Sequence, residues 1–145
     1  MSGEVTVGWR ETVALPELGI ERIRAKIDTG ARSSSLHVDR QWRIEREGEP
    51  WVGFEIRPRP GAEVVTVEAR LVDEREVTDS GGHRVRRPFI RARMRLADIE
   101  REIELNLADR RGMRFPMLLG RQAMQDGFIV DPSRSHLHRR NKAAG

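Results

Sequence analysis

An alternating run, Glu21 to Ile27, ends directly in Asp28-Thr29-Gly30. Ile23, Ala25 and Ile27 fall on one face and Arg22, Arg24 and Lys26 on the other, which is the period of a half-buried strand. A strand that passes from its last apolar residue into an acid, a small hydroxyl and a glycine ends in a tight turn that aims one carboxylate outward. As an isolated triplet, Asp-Thr-Gly is also an ordinary Asx turn. Its setting sharpens it: an apolar strand before, Ala31 after, and far downstream Met117-Leu118-Leu119-Gly120-Arg121, a short apolar run stopped by glycine.

The rest of the chain reads as short strands and turns. Val5-Thr6-Val7 is a strand, and Pro16 with Gly19 marks a turn. Ser33 to Val38 is the next strand. Trp42 to Glu45 and Trp51 to Ile56 form a hairpin around Glu47-Gly48-Glu49. Pro58, Pro60 and Gly61 break the chain, and Val64 to Val77 alternates again. Asp79-Ser80-Gly81-Gly82 is a strong turn signal. Phe89 to Leu96 and Ile103 to Leu107 form a second hairpin about Ala97-Asp98. One short helix fits Gln122 to Asp126, and Phe128-Ile129-Val130 is a last strand. The expectation is an all-β fold, a closed or nearly closed barrel with one short C-terminal helix. No internal repeat or low-complexity linker divides residues 1–145, which read as a single domain with a disordered tail over about 136–145.

Composition narrows the chemistry. Hydrophobic residues make up 37%, enough for a small β-rich core. No run approaches the length of a membrane span, no secretory signal is visible, and cysteine is absent. A thiolate nucleophile, a disulfide framework and a cysteine zinc site are excluded, and the expected compartment is the cytoplasm. Net charge is +4, and every basic residue except Lys26 and Lys142 is arginine. With 23 acidic residues present, a basic surface can arise only from placement.

The two motifs together resemble the retropepsin-like aspartic proteases. There the triplet supplies the catalytic aspartate and the apolar-apolar-glycine element crosses beneath it. Longer motifs, Lys26-Ile27-Asp28-Thr29-Gly30-Ala31-Arg32-Ser33-Ser34-Ser35-Leu36-His37 and Arg114-Phe115-Pro116-Met117-Leu118-Leu119-Gly120-Arg121, resemble a bacterial family labelled ATP-dependent zinc proteases. Phe128-Ile129-Val130-Asp131 fits that family's ending. The residues side with a retropepsin-like reading over the label, because the chain has no His-Glu-x-x-His and no Gly-rich Lys-Ser/Thr loop. His136-x-His138 has no third ligand nearby in sequence, and His37 and His83 read as surface or packing residues. No cofactor and no metal are expected.

Peptide hydrolysis by carboxylates needs an acid and a base on either side of one water. Two aspartates held close share a proton, so one activates water while the other polarises the carbonyl. This chain has one Asp-Thr-Gly. Asp79-Ser80-Gly81 has similar letters but reads as a hairpin tip. The expectation is therefore a homodimer with one Asp28 from each subunit on the twofold axis. Thr29 would hydrogen-bond across that axis, and Gly30 would let backbone and substrate approach. Leu118, Leu119 and Gly120 would bury the loop from below.

The resemblance also implies a flap, a hairpin closing over substrate, best matched by the tip Asp79-Ser80-Gly81-Gly82. Six arginines lie between Arg84 and Arg95 without an acid among them. A tight turn at Ala97-Asp98 sets Arg95 opposite Glu100, Arg93 opposite Glu102 and Arg91 opposite Glu104. Arg84, Arg86 and Arg87 have no such partners in this register and sit beside the flap. Retropepsins carry an aspartate where this chain has Arg32, and it pairs with the arginine found here as Arg121; two cations cannot make that bridge. Arg32 either reads a substrate carboxylate or bridges to Asp126 or Asp131. The expected substrate-binding set is Ala31, Arg32, Gly81, Gly82, Arg84, Arg86, Arg87 and Arg121.

Members of the resembled family are associated with ATP-grasp ligases that add glutamates to proteins. The implied activity is an aspartic endopeptidase acting on acidic or poly-glutamate segments of a glutamylated protein. The competing reading is a non-catalytic barrel that binds acidic peptide or RNA; a metal-dependent hydrolase stands third. Aromatic residues are only 5% and do not interleave with the basic run, which disfavours nucleic acid.

Overall fold

The computed structural model describes residues 4–79, 81–109, 112 and 114–138. Its strands are β1 (Val5–Val7), β2 (Arg10–Leu15), β3 (Ile20–Ile27), β4 (Ser34–His37), β5 (Arg40–Arg46) and β6 (Glu49–Ile56), followed by β7 (Val65–Arg70), β8 (Asp73–Thr78), β9 (Arg84–Leu96), β10 (Ile99–Ala108) and β11 (Met117–Leu119). A single-turn helix, α1 (Arg121–Met124), precedes β12 (Phe128–Val130). The all-β expectation holds.

The main sheet runs β10-β4-β11-β3-β2-β9, and β9 pairs back onto β10, so these strands close a ring. Two of its joints are parallel, β10 with β4 and β11 with β3. Strand β9 is long enough to serve two purposes. Its second half closes the barrel, while its first half leaves it as a hairpin with β8. A separate sheet, β5-β6-β7, covers one opening and sends Val52, Phe54 and Ile56 into the shared core with Leu15, Ile23, Leu36, Ile90, Met94 and Leu105. Each of these side chains is fully buried, and each such burial contributes about 1.5–3 kcal/mol.

Several elements depart from the expected reading. The alternating run 64–77 is two strands in different sheets, broken at Leu71-Val72. Strand β2 carries no clean alternation because an acid occupies an inward position. Glu11 is fully buried, and its carboxylate accepts backbone N–H groups of Gly8 (2.8 Å), Leu137 (3.0 Å) and His138 (2.9 Å). That carboxylate ties the end of the described chain to β2, and the His138 ring bonds the Thr6 carbonyl at 2.9 Å. The expected disordered tail therefore does not begin at residue 136; residues 139–145 lie outside the described residues.

Strand β11 decides where Asp28 sits. It lies between β3 and β4, parallel to Ala25–Ile27 and antiparallel to Ser35-Leu36. The Leu119 carbonyl accepts the Asp28 N–H at 2.9 Å, and the Gly120 N–H donates to Ser34 Oγ at 3.0 Å. A Cβ on Gly120 would lie 2.4 Å from the Ser33 carbonyl oxygen and 2.8 Å from that of Ala31, so this crossing admits no side chain. Gly120→Ala is expected to destabilise the fold by about 1–3 kcal/mol, the usual effect of overpacking. Urea unfolding checks it, and an unchanged midpoint would mean the crossing is looser than described.

Candidate active site

Asp28 follows β3 without a gap. Its Oδ1 accepts the Gly30 N–H at 3.0 Å, and its backbone carbonyl accepts the Ala31 N–H at 3.1 Å. The Asx turn is thus real, and it orients the carboxylate. No other donor among the described residues reaches that carboxylate, so Oδ2 is left for a ligand. The backbone on the far side of the loop is locked as well. Arg121 N–H bonds the Ala31 carbonyl at 2.8 Å, and the Arg121 guanidinium lies 3.4 Å and 3.3 Å from the carbonyls of Thr29 and Gly30.

The carboxylate opens into a cavity of about 760 Å³. One wall is the loop after β3: Asp28, Gly30, Ala31, Arg32 and Ser33. The opposite wall is β8 and its approach to the hairpin tip, Arg75 to Asp79. Between them lie Ser35, Arg87, Phe89, Asn106, Asp109, Leu118 and Gln122. A cavity of this size accommodates several side chains of an extended peptide.

The cations in this cavity differ in how they are held. Arg75 is bound to Glu104 through both terminal nitrogens (2.9 and 3.2 Å) and to Asp73 at 2.8 Å, and its guanidinium lies 4.2 Å above the Phe89 ring. Among the described residues Arg87 makes no ion pair; it donates to Asn106 Oδ1 at 3.1 Å. Burial lowers the Arg87 pKa from its ordinary value while nearby Asp79 raises it, and burial wins. Arg32 has neither an ion pair nor a side-chain hydrogen bond among the described residues. The alternative bridge is absent among the described residues: Arg32 pairs with neither Asp126 nor Asp131, and Asp131 accepts instead from Ser133.

Residues 6–141 match the profile of the RimB-like family, described as retropepsin-like aspartic endopeptidase RimB. This chain belongs to that family. It is 40% identical over 131 residues to a probable alpha-L-glutamate ligase of Shewanella pealeana, a match that covers 89% of this chain and 29% of that protein. A probable alpha-L-glutamate ligase of Parasynechococcus marenigrum is 36% identical over 138 residues, covering 94% and 30%. The chain therefore spans less than a third of the curated relatives it matches. Among solved structures, a Legionella pneumophila protein of unknown function superposes with a TM-score of 0.79 at 29% identity, covering 92% of this chain and 97% of that one.

Within this RimB-like fold the expected site residues separate. Asp28, Gly30, Ala31, Arg32 and Arg87 gather on the cavity. Thr29 is exposed at the loop's outer edge, and Arg121 braces the loop from outside. Gly81, Gly82, Arg84 and Arg86 belong to the β8–β9 hairpin but do not line the cavity. The expectation that Arg84 and Arg86 lack partners is corrected. Arg84 pairs with Glu76 (3.2 Å) and Arg86 lies 3.9 Å from Glu74, because β8 supplies acids that a β9–β10 register cannot reveal. The β9–β10 register is as expected, but Arg93 joins Arg95 on Glu100 and does not bond Glu102. Leu118 faces the cavity, leaving Leu119 and Gly120 to close the loop's underside. Ser35, Asn106 and Arg75 were missed. Asn106 sits in an otherwise apolar strand end, and that polar intrusion was the available signal.

The hairpin tip has its own carboxylate clamp. Asp79 Oδ1 accepts the N–H groups of His83 (2.8 Å) and Gly81 (2.9 Å), and Gly82 takes φ +84°; Ser80 lies outside the described residues. The bond from His83 is the largest influence holding the Asp79 pKa below its ordinary 3.8; burial opposes it, and the Gly81 bond adds to it. A lowered folded pKa means the clamp is complete above pH 3.8 and is lost as pH falls through the lowered value. Amide protection at Gly81 and His83 should therefore decline on acidification below 3.8, while that of Asp28 is retained. Unchanged tip protection down to about pH 2 would contradict the clamp.

Proposed function

We propose that this chain is an aspartic endopeptidase that works as a homodimer, with one Asp28 from each protomer, and cuts acidic segments such as glutamate tails added by an ATP-grasp ligase in the cytoplasm. The observation that carries this reading is the Asp28 carboxylate, oriented by its own turn and locked by β11, with a free oxygen on a peptide-sized cavity that also holds Arg32 and Arg87. Asp79 also reaches that cavity, but its Oδ1 is committed to the hairpin tip.

The chemistry follows from the pairing of two carboxyls. The ionised Asp28 takes a proton from water as the water oxygen bonds to the peptide carbonyl carbon. The protonated Asp28 of the other protomer donates to the carbonyl oxygen. Collapse of the tetrahedral adduct breaks the C–N bond: the first Asp28 gives the proton it took from water to the leaving amine, the second takes one back from the adduct's hydroxyl, and a new carboxyl group remains. Thr29, exposed beside Asp28, bonds across the twofold axis. The β8–β9 hairpin closes over the bound peptide. Arg32 and Arg87 bind carboxylates flanking the scissile bond. Residues 1–145 act as one domain. The ligase link is supported by relatives named glutamate ligases, in which the matched segment is under a third of a longer protein.

The decisive experiment incubates the protein with oligo-glutamate peptides, with and without chelator, beside Asp28→Asn, and reads products by mass spectrometry. Cleavage should resist the chelator and fall about 100- to 10,000-fold in Asp28→Asn. Sedimentation should show a dimer. Binding without cleavage would make the barrel a non-catalytic module, and loss on chelation would make it a metal enzyme. Arg32→Ala should raise KM for acidic peptides about tenfold, or about 1.4 kcal/mol, relative to neutral ones; equal losses on both would refute its role in specificity.

A further inference from the structure

The arginines of β5 and β7 to β9 are held differently from those of β2 and β3. Those of β5 (Arg40, Arg43, Arg46), β7 (Arg70) and β8 (Arg75) are all ion-paired to carboxylates. So are those of β9 except Arg87. On the outer face of β2 and β3 the pattern reverses. Among the described residues, Arg10, Arg24, Lys26 and neighbouring Arg114 make no ion pair. Aromatic rings hold three of them: Arg10 lies 4.6 Å over Trp9, while Arg24 and Arg114 lie 5.4 Å and 6.0 Å from the Phe115 ring centre. Trp9 and Phe115 meet edge to face at 5.9 Å, so the cations form one cluster. Arg10 Nε is buried there without an acceptor.

The sheet register connects this cluster to the cavity. Phe89, Asn106, Ser35, Leu118, Lys26 and Arg10 are successive cross-strand partners over β9, β10, β4, β11, β3 and β2. Cross-strand partners project on the same side of a sheet. The first four line the catalytic cavity; the last two carry the same row onto the basic face. Strands lie about 4.8 Å apart, so Arg10 is about 10 Å beyond Leu118, or about three residues of extended peptide.

We propose that Arg10, Arg24, Lys26 and Arg114 form a track that holds an acidic polypeptide continuous with the segment in the cavity. The inference rests on the peptidase reading above and deepens it: the substrate is recognised as a run of carboxylates that continues from the cavity to Arg10, about three residues beyond Leu118. Charge complementarity selects the occupant, because among the described residues these cations lack the carboxylates that pair with the arginines of β5, β7 and β8. A nucleic acid fits less well. Phe115 is 4% exposed and Trp9 is covered by Arg10, so neither ring offers a face on which a base can stack.

The test reads binding, not cleavage. Full-length Asp28→Asn protein is titrated against a labelled oligo-glutamate of about twelve residues, long enough at about 3.3 Å per residue to cover cavity and track. The triple variant Arg24→Gln, Lys26→Gln, Arg114→Gln in that background should weaken binding at least about tenfold and flatten its salt dependence. A control with the same net charge, Arg91→Gln, Arg93→Gln, Arg95→Gln, should change it less than about twofold. Thermal unfolding and sedimentation of both variants confirm fold and assembly. Unchanged glutamate binding in the first variant, or equal weakening in both, would overturn the track. So would loss of binding to an RNA oligonucleotide with peptide binding intact. Failure of the unmutated chain to cleave anything would sink the peptidase reading alone, since peptide capture is measured without catalysis.

Discussion

The site depends on one backbone insertion, β11 between β3 and β4. Asp28 leaves the end of a strand whose neighbour arrives from some ninety residues later in the chain. The Leu119 carbonyl holds the Asp28 N–H, Ser34 Oγ holds the Gly120 N–H, and the backbone of Ser33 and Ala31 presses on the space where a Gly120 side chain would go. The carboxylate is therefore positioned by main chain on two sides. Side-chain packing has rotamers to lose or repack; a main-chain cage has few, and that rigidity suits a group that must meet a reacting atom within a fraction of an ångström. Because the cage is built from β3, β4 and β11, which are themselves strands of the barrel, site and barrel share one main-chain framework.

Around this rigid point the structure distributes charge in two ways. On β5 to β9 arginines and carboxylates are interleaved across strands, which leaves little net field and modest stabilisation, as expected for exposed pairs. Around the Asp28 loop and on the β2–β3 face, Arg121, Arg87, Arg10 and Arg24 have carbonyl, amide or aromatic partners in place of carboxylates, whereas Arg75 in the cavity is ion-paired. Arg121 is held by two carbonyls, Arg87 by Asn106, and Arg24 by Phe115. Such partners fix direction without cancelling charge, so the field of these residues stays available to an incoming anion. A net charge of +4 says little by itself; its placement is what the fold supplies.

The fold class, β3, the Asp28 loop and the β9–β10 register were all legible because they are local. Alternation sets β3, and a two-residue turn at Ala97-Asp98 sets the register on either side. Three features were hidden for physical reasons. Strand β2 buries Glu11, and a carboxylate satisfied by three backbone N–H groups reads in sequence as a surface acid. The break at Leu71-Val72 is apolar and carries no turn residue, so two strands of different sheets looked like one. The partners of Arg84 and Arg86 come from β8, across a turn whose pairing is set by Asp79 and the glycines after it. Arg32 and Arg87, which line the cavity, were singled out by departure from the usual pattern and by the lack of a partner in register. Ser35 and Asn106 meet at the cavity because a parallel joint brings β4 and β10 together; the polar Asn106 in an apolar strand end hinted at a site, but no local signal encodes the pairing that brings Ser35 to it.

On the proposed pairing, each folded chain supplies one half of the acid–base pair. Asp28 has one oxygen satisfied within its own turn and the other facing the cavity, and Thr29 beside it is exposed. Two unscreened carboxylates placed together during folding of a single chain would repel at the point where the cage must close. Split between protomers as proposed, that juxtaposition would be deferred to a step in which a shared proton can accompany it. On the proposed pairing, the same step brings together two cavities and two basic faces. An extended acidic chain crossing the axis then meets cations on both sides of the scissile bond, and the symmetry that completes the acid–base pair also doubles the length of polypeptide the molecule can hold.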